Sequence, residues 1–183
     1  MTISGRLDRD DRDLILRRPT PEDGVAVNDL VEQCKPLDEN SVYCNLLQCS
    51  HFRETSALAE LGGDVAGFVS GYVVPQQDDS LFVWQVAVAP EARGLSLAKR
   101  MVFDILRRPS AKGIRNIKTT ITPDNSASHG VFNSIARELG ADIQRDVLFE
   151  KEQHFDGQQK TEMLWHIGPF KRADLMPVLV NAA

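Results

Sequence analysis

Hydrophobic positions along the chain alternate between short strand-like runs and longer helical stripes. Leu14, Ile15 and Leu16 open a short strand that stops before Pro19. Thr20 reads as a helix N-cap with Pro21 in the first turn and acidic residues behind it. Val27, Leu30, Val31 and Cys34 then recur at helical spacing, predicting a first helix that runs to about Gln33. Residues 35–50 carry no clear period and predict an irregular or weakly helical connection, long enough to lie over a site. Residues 55–61 and 65–74 read as a hairpin around Gly62-Gly63-Asp64, because paired glycines reach the positive φ that tight hairpin turns need. A third long strand, 81–88, leads through a turn at 90–94 into a helix with the stripe Leu95, Ala98, Val102, Ile105 and Leu106, ended by Pro109. Residues 116–121 predict another strand. Val131, Phe132, Ile135, Ala136 and Leu139 mark a helix that stops at Gly140. Strands at 141–149 and 161–167, separated by a polar loop, complete an α/β fold with a layered sheet.

At 183 residues the chain fits a single domain, with the core at about 14–169 and tails beyond it. Its 42% apolar and 26% charged residues suit a globular protein and argue against a disordered or fibrous one. The formal charge of −5 argues against general nucleic-acid binding. That charge is unevenly spread: between Arg93 and Arg115 seven Lys and Arg face one Asp, a local basic field suited to a small polyanion or, more plainly, a solvated helix face. No apolar run is long enough to span a bilayer and no leader is evident, so a cytoplasmic protein is expected. Cys34, Cys44 and Cys49 lack metal or disulfide spacing and read as buried thiols. His51, His129, His154 and His166 are scattered, so no metal is expected.

The stretch 86–98 carries the most chemistry. A strand enters, a small-residue turn follows and a helix begins, so free backbone N–H groups converge where the helix dipole is positive, as a phosphate-binding turn requires. A tight turn without a ligand is the plain alternative. The stretch resembles the acetyl-CoA motif of the GCN5-related N-acetyltransferases: Arg or Gln, Gly, any residue, Gly, any residue, then Gly or Ala. Arg93, Gly94 and Ala98 match, and Ser96 stands at the usual second glycine. Asn125, Ser128 and Phe132 resemble the next element of that family, in which the aromatic is often a Tyr that protonates the departing thiolate. Phe132 has no hydroxyl, which leaves the general acid unassigned. The resemblance implies a mixed, mostly antiparallel central sheet flanked by helices on both faces. It also implies acetyl-CoA held by Val86, Val88, Arg93, Gly94, Leu95, Ser96, Ala98, Asn125, Ser128 and Phe132.

Five further segments extend the resemblance over most of the chain: 16–24, with Arg17-Arg18-Pro19-Thr20 and Asp23-Gly24; 37–43, with Leu37-Asp38, Asn40-Ser41 and Tyr43; 82–88, with Trp84-Gln85; 122–128, opening Thr122-Pro123-Asp124-Asn125; and His154-Phe155-Asp156-Gly157. Together they resemble the L-2,4-diaminobutyrate acetyltransferases of ectoine synthesis. That resemblance implies transfer to the γ-amine of a small diamine by a homodimer. Its acceptor site implies that Asp38 grips an ammonium, Tyr43 hydrogen-bonds the acceptor and Trp84 walls the pocket. A helix cap for Asp38 and core packing for Tyr43 and Trp84 are the competing readings. Direct transfer needs a neutral amine, and Glu162 is the first candidate base, with His154 the second; both read equally as surface residues. Another small amine as acceptor, or an acyl-CoA-binding module without turnover, stays open.

Overall fold

A computed structural model describes residues 13–35, 37–172 and 175. The tail 174–183, read above as a surface for a partner, lies outside the described residues apart from Leu175, as does the segment 1–12. Among the described residues seven strands form one sheet in the order β1-β2-β3-β4-β5-β7-β6, mostly antiparallel, with β4 and β5 the one parallel pair. The strands are β1 (Leu14–Arg17), β2 (Ala57–Leu61), β3 (Asp64–Val73), β4 (Ser80–Val88), β5 (Asn116–Ile121), β6 (Ile143–Phe149) and β7 (Glu162–Ile167). The helices are α1 (Gly24–Gln33), α2 (Val42–Ser50), α3 (Leu97–Arg107), α4 (Ser126–Leu139) and α5 (Lys151–Phe155).

Local chemistry explains the boundaries. Thr20 and Asp23 form a capping box around a single 3₁₀ turn that leads into α1. Arg17 fixes this entry by donating to both oxygens of Asp23 at 2.7 Å and to Glu60 on the neighbouring strand. Gly62 and Gly63, both at positive φ, make the two-residue turn between β2 and β3. Gly140 in the left-handed region ends α4.

Six consecutive residues of β3, from Ala66 to Gly71, are buried. Successive strand residues point to opposite faces, so both faces of the sheet are covered there. On one side α3 supplies Met101, which sits where a Cβ on Gly67 would fall. α1 packs on β3 and β4 as well, and α2 packs on α1. Phe68, Leu58, Leu81, Met101, Ile105 and Ile117 lie at the centre of the resulting core. Among the described residues no helix is long and apolar enough to cross a membrane.

The sequence expectations need correction in three places. The connection 35–50 contains a full helix, α2, capped by the Ser41 hydroxyl, which accepts the Cys44 N–H. The polar loop after residue 150 contains the short helix α5. Leu95 precedes α3, which begins at Leu97 rather than at the glycine.

Candidate active site

β4 and β5 pair only at Ser80–Asn116, Leu81–Ile117 and Phe82–Lys118. Beyond these residues the strands part while each continues, β4 to Val88 and β5 to Ile121. Backbone groups of β4 that face β5 along this stretch have no ladder partner, which leaves polar groups available to a ligand. A cavity of about 610 Å³ opens beside the free end of β4, between the start of α3 and the first half of α4. Val86 and Val88 line it from β4, Arg93, Gly94 and Ser96 from the turn, Ala98 from the first turn of α3, and Asn125, Ser128 and Phe132 from the N-cap and first half of α4. Nine of the ten residues expected to hold acetyl-CoA therefore share one cavity. Leu95 instead packs its side chain against the core.

The turn before α3 has the geometry of an anion site. The first helical hydrogen bond runs from the Arg100 N–H to the Ser96 carbonyl, so the N–H groups of Leu97, Ala98 and Lys99 have no partner within the helix. Gly94 holds φ +90°, which an L side chain rarely adopts. The basic field is partly committed to structure. Lys99 lines the cavity but pairs with Glu138 of α4, and the buried Arg108 binds Asp104 and the carbonyls of Arg53, Glu54 and Ser56. Asn125 caps α4 by accepting the Ser128 N–H at 3.0 Å, which fixes the far wall of the cavity. Cys34 lies on the near wall, its thiol donating to the Val88 carbonyl at 3.3 Å.

Ser96 shows what the missing glycine costs. It caps α3 at φ 56° and ψ 27°, a left-handed conformation disfavoured for a residue with a Cβ by roughly 1–2 kcal/mol. Ser96→Gly is expected to raise the melting temperature while leaving the acetyl-CoA dissociation constant within about twofold. Calorimetry with and without ligand checks both, and a lower melting temperature would mean that the Ser96 side chain stabilises the turn.

None of the residues expected on the acceptor side, Asp38, Tyr43, Trp84 and Glu162, lines this cavity, although their neighbours Leu37 and Val86 do. Ser70 pairs with Gln85 and Gly71 with Val83, so Trp84 is the extra residue of a β-bulge. It is 47% exposed and meets Tyr72 edge-on, with ring centroids 6.3 Å apart, so it is not a core residue. Tyr43, in the first turn of α2, is 70% exposed, which likewise sets core packing aside. Asp38 is exposed and does not cap α2, because Ser41 does. Gln85, which the sequence presents only as one letter of a longer segment, is buried and donates through Nε2 to the Asp38 carbonyl at 2.9 Å. Its Oε1 accepts from Asn40 Nδ2, also at 2.9 Å.

Glu162 is half-buried at the start of β7. Burial pushes its carboxyl above the usual carboxylate range, a hydrogen bond from Thr120 works against that, and the charge of Asp38 adds to it. His154 sits on α5, exposed; its Nδ1 accepts the Glu150 N–H at 2.9 Å and its ring lies edge-on to Phe149. Among the described residues no group of three or more His, Cys, Asp or Glu is placed to hold a metal. Burial raises the thiol pKa of all three cysteines, that of Cys49 to about 12.

Residues 25–135 match the model of the acetyltransferase (GNAT) family. The L-2,4-diaminobutyric acid acetyltransferase of Methylotuvimicrobium alcaliphilum is 52% identical over 86% of this chain and 92% of its own length. That of Vibrio cholerae is 44% identical over 84% and 88% respectively. Among solved structures, the diaminobutyrate acetyltransferase EctA from Paenibacillus lautus, in complex with L-2,4-diaminobutyric acid and coenzyme A, superposes with a TM-score of 0.83 at 37% identity, over 87% of this chain and 96% of that one. The splayed strands, the anion turn and the identity over nearly the full length of these relatives agree: the chain belongs to the GNAT acetyltransferases and, within them, to the L-2,4-diaminobutyric acid acetyltransferase family.

Proposed function

We propose that this chain transfers the acetyl group of acetyl-CoA to the γ-amine of L-2,4-diaminobutyrate, giving CoA and the Nγ-acetyl product used in making the compatible solute ectoine. The observation that carries this reading is that two acidic residues are tied to the two strands that part: Asp38 to β4 through Gln85, and Glu162 to β5 through Thr120. A substrate with two ammonium groups meets two acidic side chains next to the place where a thioester arm can lie along a strand.

In this reading the turn at 93–98, with the N–H groups that open α3, receives the pyrophosphate, and Val86 and Val88 flank the pantetheine arm. Acetyl-CoA supplies an acyl group already activated on a thiol leaving group. A free backbone N–H near Val86 polarises the acyl oxygen. Asp38 and Tyr43 hold the acceptor, and Trp84 closes one side. Glu162 takes the proton from the γ-ammonium, which otherwise titrates near ~10.4 like a lysine. The histidine geometry favours Glu162 over His154. A backbone N–H can only donate, so His154 Nδ1 is an acceptor and, in the neutral ring, Nε2 carries the proton. No lone pair is then left to act as base. Holding amine and thioester in contact supplies much of the remaining rate enhancement.

Thiol release from acetyl-CoA, measured with L-2,4-diaminobutyrate, ornithine, lysine and spermidine side by side and followed by mass spectrometry of the product, tests the function. Clear preference for diaminobutyrate with acetylation at the γ-nitrogen is expected. Acetyl-CoA binding without release for any amine would mean a binding module instead. Asp38→Ala is expected to raise the KM for diaminobutyrate by about tenfold or more while that for acetyl-CoA stays within about twofold. Equal effects on both would remove Asp38 from the acceptor site. The same family reading supports a cytoplasmic homodimer, for which the exposed Val147 and Phe149 on the edge strand β6 offer an apolar surface.

A further inference from the structure

We infer that Gln85 sets the distance between the Asp38 carboxylate and the acetyl position on β4, and thereby selects a four-carbon diamine over longer ones. The inference rests on the acceptor site proposed above. Asp38 lies on the segment 37–40, which has no regular structure and which must be held if its carboxylate is to measure a substrate. The exposed Lys35–Glu39 ion pair nearby contributes little. Gln85 contributes more, because both ends of its amide are spent on that segment: Nε2 on the Asp38 carbonyl and Oε1 on the Asn40 amide, each at 2.9 Å. The residue is only 8% exposed, so these bonds form where water competes weakly and where an unmet partner is costly.

Its place on β4 gives the tether a function. Trp84 is the extra residue of the bulge and Val86 lines the cofactor cavity, so Gln85 joins the acceptor segment to the strand at the point between them. Only an amide serves both bonds: glutamate keeps the acceptor and loses the donor, and leucine loses both. Gln85 touches neither reactant and is a positioning residue acting through Asp38.

The test uses steady-state kinetics of the full chain. In Gln85→Leu the KM for diaminobutyrate is expected to rise about tenfold, with the KM for acetyl-CoA within about twofold, and the ratio of kcat/KM for diaminobutyrate over ornithine to fall by about tenfold. In the Asp38→Ala background the same substitution should add less than about a further twofold, because its effect passes through Asp38. Gln85→Glu, which keeps the size and the Asn40 bond, should shift KM and selectivity in the same direction and supplies the reading if the leucine variant does not fold. Unchanged selectivity, or effects of Gln85 and Asp38 that simply multiply, would overturn the inference. A wild-type chain that does not acetylate diaminobutyrate would overturn the underlying function instead, so the two failures are distinguishable.

Discussion

Glu162→Gln is expected to lower kcat by about 100-fold or more at neutral pH, in line with the 10²–10⁴ that a positioned general base contributes. Glutamine keeps the size of the side chain and can still accept from Thr120, but it cannot take a proton. Two signatures separate this from a general loss of structure. Wild-type kcat/KM should fall as pH drops through the Glu162 carboxyl, and that limb should lie above the ordinary carboxylate range because burial disfavours the charge. The variant should lack the limb, and its defect should shrink as pH approaches the amine's own pKa, where the acceptor is already neutral. Stability should move the other way. A carboxyl whose folded pKa is raised stabilises the fold fully below its unfolded pKa and loses that contribution as pH rises through the folded value. Above that value the wild type carries an ion in a half-buried place, so the glutamine variant should melt at the same temperature or higher. A variant with near-wild-type kcat would assign the base elsewhere.

Gly94→Val should raise the dissociation constant for acetyl-CoA by about 100-fold or more, since 1.4 kcal/mol of lost binding is already tenfold and two effects combine. Gly94 holds φ +90°, which strains any β-branched residue. A Cβ there meets no protein atom within 4 Å, so the new methyl groups have room in the free protein and stand where the turn borders the cavity. The variant should therefore fold, with a modest loss of stability from strain, and fail at the ligand. Isothermal titration with acetyl-CoA reads the binding and thermal unfolding reads the strain. Unaltered affinity would place the pyrophosphate away from this turn.

How much of this was legible in the sequence depended on whether burial left a periodic trace. The hairpin of β2 and β3 was legible because Gly62 and Gly63 can do what few residue pairs can. β5 and α4 followed from clean alternation and a clean stripe. α2 was hidden because its buried positions include Asn45 and Gln48 beside Cys49, so the face that packs inward does not read as apolar. α5 was hidden because it buries no residue fully. The cofactor site was readable as one continuous stretch, 86–98, with α4 as a second. The proposed acceptor side draws on three separate segments, 37–43, 82–88 and the start of β7, which no single sequence pattern joins. Gln85 was not legible because a polar side chain at a buried strand position carries no hydrophobic signal, and its bonds to residues 38 and 40 exist only in the folded chain.

The three residue pairs that join β4 to β5 also divide the sheet into two leaves, β1 to β4 on one side and β5, β7 and β6 on the other, bound along a short spine. Each leaf is stitched by its own antiparallel ladders, so opening or closing the leaves by a few degrees breaks no strand pairing. Contacts cross between the leaves at the spine, where Asn116 bonds both Asp79 and His166, and above the sheet, where the Lys99–Glu138 ion pair joins α3 to α4. Asn116, which lies outside the cavity lining, and Lys99, which belongs to it, are thus joined to the same hinge-like arrangement of the sheet.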